Sequence, residues 1–145
     1  MSVSTAMCTS FKQELLNKEH DLNSDTNKLA LIKASPSGTY GAATTNYSDV
    51  TGNSDEASGT GYSAGGQNLD SGTISVSGTT AIVDFADEVF SDVTLSASGC
   101  IIYNSSASNK AIATISFGGT VSATAGDLTI EFPAAGASTA IIRIA

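Results

Sequence analysis

Four acids crowd one stretch of the chain: Asp84, Asp87, Glu88 and Asp92. Several carboxylates close together are what a hard cation such as Ca²⁺ requires. Their spacing is not that of the D-x-[DN]-x-[DN]-G calcium loop, so they read as a solvated connection between strands. A glycan hydrolase would need two such acids facing each other across a cleft. The string Gly59-Thr60-Gly61-Tyr62-Ser63-Ala64-Gly65-Gly66 looks superficially like a phosphate-cradling loop. It has neither the register nor a following helix or Lys-Ser/Thr, and is expected to be a tight bend that needs positive φ.

The nucleophile inventory is thin. Cys8 and Cys100 are the two cysteines and His20 the single histidine. A cysteine or serine nucleophile would have to recruit that one imidazole, and a zinc site needs more ligands than these residues supply. His20 reads as a cap near a helix C-terminus. The expectation is therefore no catalytic residue, no cofactor and no metal, with both thiols free and the chain made in a reducing cytoplasm.

Those residues are set in 145 positions, one domain's worth. Charge is sparse: 6 basic against 14 acidic residues, net −8, pI ≈ 4.2. Nucleic-acid binding needs a cationic footprint, and an anionic membrane surface repels such a chain. Mean hydropathy is +0.09, too apolar for acidic disorder. There are 22 Ser, 17 Thr and 14 Gly in place of the usual charged surface. The N-terminus lacks a basic-then-apolar signal pattern, and no apolar run approaches the ~18 residues of a membrane span.

Charge also divides the chain. Residues 1–33 are neutral, whereas residues 34–145 carry the whole −8. The first part, 1–22, reads as an arm plus a short helix near 9–19, with Ser10 and Gln13 as a capping box. Phe11, Leu15 and Leu16 would share its apolar face. Residues 1–8, from Met1, Ser2, Val3, Ser4 and Thr5 onward, show no helical pattern and suit an arm reaching a neighbour. The second part, 23–145, reads as a single β-sandwich domain with a first strand at Leu29–Ala34. Within it, residues 35–72 form a long Gly/Ser/Thr/Asn-rich excursion, either pinned by Tyr40, Tyr47 and Tyr62 or mobile.

From Thr73 on, seven β-branched or aromatic runs recur: Thr73–Ser77, Thr80–Phe85, Val93–Ala97, Cys100–Tyr103, Ala111–Phe117, Leu128–Phe132 and Ala140–Ile144. Turn signals separate them at 8–12-residue spacing, the signature of a sandwich or barrel. The fold class expected is mainly β, an antiparallel β-sandwich with a short N-terminal helix. No charge falls between Ser96 and Ser108, which points to a subunit interface including Ile101 and Tyr103.

Four strings carry a resemblance: 59–66 above, Gly78–Asp87, Ile102–Ser106 and Asn109–Ala113. They resemble a family of small virion proteins of tailed bacteriophages, and the similarity runs from Thr9–Leu16 to Ile141–Ile144. Val89-Phe90 stands where relatives are expected to carry Trp, and Cys100 where a larger or aliphatic residue is common. The resemblance implies a structural protein similar to capsid decoration (cement) proteins. It would bind and stabilise major capsid protein subunits on the capsid exterior, as a homotrimer. The alternative is a tail, baseplate or head-fibre component, with the polar 39–68 loop contacting a receptor or glycan.

Overall fold

Long β-branched runs without helix-favouring periodicity must pair, and the computed structural model, which describes residues 2–70 and 72–145, shows how they do so. The elements in chain order are β1 (Ser2–Val3), β2 (Ala6–Met7), α1 (Thr9–Leu16), β3 (Asn27–Lys33), β4 (Thr39–Tyr40), α2 (Ser48–Gly52), β5 (Gln67–Asn68), β6 (Thr73–Ser77), β7 (Thr80–Asp84), β8 (Glu88–Asn104), β9 (Lys110–Ile130) and β10 (Ile142–Ile144). The fold is mainly β and sandwich-like, with antiparallel sheets and one short N-terminal helix. The larger sheet has the order β2-β9-β8-β3-β5, and the smaller β10-β7-β6. β1 and β4 form a separate parallel pair.

β8 and β9 replace four of the expected strands by two. Ser98-Gly99 and Gly118-Gly119 do not reverse the chain. They sit opposite one another at a shift in register between the Ala97–Val121 and Gly99–Ser116 pairs. Ala125-Gly126-Asp127 likewise lies beside the irregularity around Val93. Glycine relieves the backbone at a bulge as readily as at a turn, so the ribbon bends and twists without breaking. The inner half of the ribbon is buried on both faces. That explains the charge-free stretch: Ile101 and Tyr103 are 0% and 2% exposed, inside the chain's own core. They are not available to another subunit.

The N-terminal helix is shorter than expected. It ends at Leu16 with Asn17 as C-cap, and Lys18 already has φ 64°. Cys8 is its N-cap, and no side chain bonds there, so the capping box does not form. Ser10 lies inside the helix, its hydroxyl buried without a partner among the described residues. The apolar stripe is narrower too. Phe11 is fully buried and Leu15 half-buried, whereas Leu16 is 90% exposed. Phe11 lies edge-on to His20, with ring centroids 4.9 Å apart. Cys8, Phe11 and Leu22 belong to the same core cluster as Leu31, Ile102 and Ile142, which ties the first 22 residues into the body.

Residues 2–8 are not a free arm here. Ser2 and Ser4 donate backbone N–H groups to Gly38 and Tyr40 carbonyls at 3.2 and 2.8 Å. β2 pairs with Ala113 and Thr114 of β9. Met1, also expected at the contact, lies outside the described residues. Because only one of the three helix positions is buried, Phe11→Ala is expected to cost about 3–5 kcal/mol in urea unfolding and Leu16→Ala less than about 0.5 kcal/mol. Equal losses at the two positions would contradict this placement.

Candidate functional site

The excursion between β3 and β6 is ordered, and two adjacent carboxylates order it. Asp55 is fully buried. It accepts from the Ser37 and Gly38 N–H groups at 2.8 and 2.7 Å and from the Tyr40 hydroxyl at 2.6 Å, and pairs with Lys33 Nζ at 3.1 Å. Burial alone would oppose its ionisation. These donors overcome that cost and hold the carboxyl well below the usual range. Glu56 accepts from the Tyr47 and Tyr62 hydroxyls at 2.5 and 2.8 Å and from the Gly65 N–H at 2.7 Å.

The tyrosines close the network onto the sheet. The Tyr62 oxygen also accepts from the Leu31 N–H at 2.9 Å, and the Tyr103 hydroxyl donates to the Gly65 carbonyl at 2.6 Å. Tyr47 stacks on Tyr103, with centroids 4.4 Å apart and planes 7° from parallel. Gly66 follows with φ 76°, and a Cβ there would meet the Leu29 carbonyl oxygen at 1.8 Å. The glycine string is thus a bend pressed onto β3, as its composition suggests. The tyrosine hydroxyls are occupied by carboxylates and backbone groups.

The groups that could do chemistry are dispersed or occupied. Asp87 accepts from the Phe132 N–H at 2.8 Å, and the Asp92 N–H donates to Asp127 at 3.2 Å. Glu88 is buried, and burial followed by the charge of Asp70 raises its pKa. Among the described residues no group of three or more His, Cys, Asp or Glu is placed to hold a metal ion. Cys8 and Cys100 are free and buried. Burial, with Glu14 and Asp49 adding to it, pushes the Cys8 thiol up to about 12, and burial raises Cys100 as well. His20 does not cap the helix. Its Nδ1 accepts from the Asn104 amide at 3.0 Å and its Nε2 lies 2.9 Å from Glu14, which tacks the helix to the end of β8.

Of the expected contact residues, Ser4 and Thr5 are held by β9. The Ser4 carbonyl accepts from the Thr114 hydroxyl at 2.7 Å, and the Thr5 hydroxyl accepts from the Ser116 N–H at 3.0 Å. Ser2 is exposed beside β4, and Val3 is half-buried against Gly99. The structure does not gather Ser2, Val3, Ser4, Thr5, Phe11, Leu15, Leu16, Ile101 and Tyr103 onto one surface.

It builds a different surface from the small sheet. Register places Ile142, Val83 and Ile74 in one cross-strand row and Ile144, Ala81 and Val76 in the next. Paired residues share a face, so six apolar side chains cover one side of three strands. Burial fades outward along it. Ile142 and Val83 are 1% and 7% exposed, Ile74 and Ile144 both 52%, and Val76 72%. Leu15 and Leu22 face the same rows across a groove of about 390 Å³. The sequence signal for this surface is the absence of any Asp, Glu, Lys or Arg from 71 to 83, together with the alternation of Ile74 and Val76.

Searches against protein-family models, curated proteins and solved structures found no match to this chain. The candidate site therefore stands on its own geometry.

The chain has four tyrosines, and all four are raised. Burial is the leading cause in each, and it lifts Tyr40 and Tyr103 to about 12. Above pH ~10 an unfolded tyrosine loses its proton while the folded one keeps it, so stability falls as pH rises from ~10 toward 12. Absorbance titration is expected to show no tyrosine ionising near pH 10, followed by a cooperative step that coincides with unfolding. A tyrosine titrating normally in the folded chain would break the network as described.

Proposed function

We propose that this chain is a non-enzymatic structural protein of a tailed-phage virion, a capsid decoration protein that lays an apolar sheet face on the major capsid protein. One observation carries the reading: two in-register rows of Ile, Val and Ala lie on one face of the small sheet, and their outer members Ile74, Val76 and Ile144 are exposed on a body rich in Ser, Thr and Gly. Scattered exposed apolar residues need no explanation, but a contiguous set on one sheet face marks a contact surface. The pinned excursion and the stitched N-terminus support this role, because cement that braces a shell gains little from a body that deforms. The resemblance of the glycine-rich and strand strings to small virion proteins points the same way. The −8 charge keeps the free chain soluble before assembly, while the uncharged face contributes no repulsion at the docking point.

Purified particles of the producing phage provide the test. Antibody-gold is expected over the head shell, and heads stripped of the chain are expected to regain it on mixing. Ile144→Glu, which charges the face without touching the core, is expected to lower capsid occupancy while leaving the melting temperature of the free chain unchanged. Gold confined to tail or baseplate would favour the receptor-contacting alternative. Absence of the chain from particles would overturn both readings.

A further inference from the structure

We infer that β6 is a self-pairing edge, through which two copies of this chain join about a twofold axis at Ser75. β6 is the outer strand of its sheet, with β7 on one side and no strand on the other among the described residues. The hairpin fixes which groups are free. Ser77 and Thr80 flank a two-residue turn whose first residue, Gly78, has φ 62°, while Thr79 does not have positive φ; this is the pattern of a type II′ turn. In such a hairpin the flanking residues form the hydrogen-bonded pair, and the pattern alternates along the strand. Thr73, Ser75 and Ser77 therefore bond inward to β7. Ile74 and Val76 turn both N–H and C=O outward, where no described residue meets them.

The occupant follows from the order of side chains. Read from either end, Thr73-Ile74-Ser75-Val76-Ser77 runs hydroxyl, β-branched apolar, serine, β-branched apolar, hydroxyl. A twofold contact demands that self-complementarity, because residue i must suit residue j and j must suit i. Antiparallel pairing about Ser75 sets Ile74 against Val76 of the second copy and Thr73 against its Ser77. Both outward residues then exchange two backbone hydrogen bonds with their counterparts. Each apolar row also continues across the axis: Ile142, Val83 and Ile74 run on into the second copy's Val76, Ala81 and Ile144. Three strands become six with one unbroken apolar face.

Charge selects the same partner. Two chains at −8 repel wherever acids face each other, and residues 72–83 present none. The other edges are guarded. β10 carries Arg143 at its centre, β5 is two residues long, and the outer side of β9 beyond Ser116 is bent by register shifts and bears Asp127. Such bulges, charges and short strands are the usual blocks to edge pairing. β6 has an unshifted register and none of them. Self-pairing requires no virion component, so a failure of capsid attachment would leave it standing.

The test uses the full chain in solution. Sedimentation equilibrium is expected to show mass rising toward twice 14.6 kDa as concentration reaches about 1 mM, where even a millimolar contact is half formed. Val76→Pro, which removes an outward N–H that the hairpin does not use, is expected to return the chain to monomer with its unfolding midpoint kept. Ser75→Cys gives a readout that does not depend on that variant folding normally. Across the axis the two sulfurs sit on directly opposed residues, with Cα atoms about 4.5 Å apart, within disulfide reach. Mild oxidation is expected to cross-link it. Ser77→Cys, whose copies would lie about 13 Å apart, is expected not to cross-link. Buried Cys8 and Cys100 do not compete. A monomer throughout, a trimer without the Ser75→Cys cross-link, or equal cross-linking at both positions would overturn the inference.

Discussion

Two carboxylates set side by side hold this molecule in one shape. Asp55 and Glu56 are neighbours in a strand-like stretch, so their side chains point opposite ways, and each gathers a separate set of donors. One set ties Lys33, Ser37, Gly38 and Tyr40 together; the other ties Tyr47, Tyr62 and Gly65. Between them they fasten roughly thirty residues of irregular chain onto β3 and β8. A loop of that length in a compact domain would ordinarily be mobile. Here its backbone and hydroxyl groups are spent on internal bonds, and Tyr103 stacked on Tyr47 seals the join. The N-terminal pair β1–β4 depends on the same pin, since β4 is held in place through Tyr40 and Asp55.

Much of this architecture was legible in the residues. Period-two and β-branched runs located β3, β6, β7 and both ends of the long ribbon, because a strand's side-chain alternation is written directly into the sequence. Where the reading departed from the structure, one signal served two geometries. Gly118-Gly119 and Ala125-Gly126-Asp127 relax the backbone equally for a reversal and for a bulge, and only the register of the opposing strand distinguishes them. The charge-free run from Ser96 to Ser108 has a similar ambiguity. Burial inside the chain and burial between chains both remove charge, and Ile101 and Tyr103 prove to be interior.

The helix shows a finer limit. Ser10 and Gln13 have capping-box spacing, yet the helix begins at Thr9, which carries Ser10 inward and leaves its hydroxyl without a partner among the described residues. At 3.6 residues per turn Leu15 lies about 40° around the helix from Phe11 but Leu16 about 140°, and so Leu16 faces solvent while Phe11 faces the core. The tyrosines of the excursion left two readings open, a pinned loop or a mobile one, because their partners were not visible. Nothing in the residue string sets Asp55 and Glu56 apart from the other acids, because sequence does not show how many donors a fold will bring to a carboxylate. The apolar face of the small sheet was half visible: Ile74 and Val76 alternate openly, but the rows that join them to β7 and β10 exist only through pairing.

The stitching of the first residues to the last long strand has a cost in time. Ser4 bonds to Thr114 and Thr5 to Ser116, and β2 finds its place only beside Ala113 and Thr114. More than a hundred residues of synthesis separate the two halves of that seam. At ~5–20 residues per second the N-terminal strand waits about 5–20 s on the ribosome before its partner exists. Phe11 and the helix it anchors wait with it, since α1 packs against β9. The fold therefore closes late and over long loops, the regime in which non-local pairing slows folding. During that interval residues 1–33, which are electrically neutral, are already made, while the acids of residues 34–145 are mostly still to come.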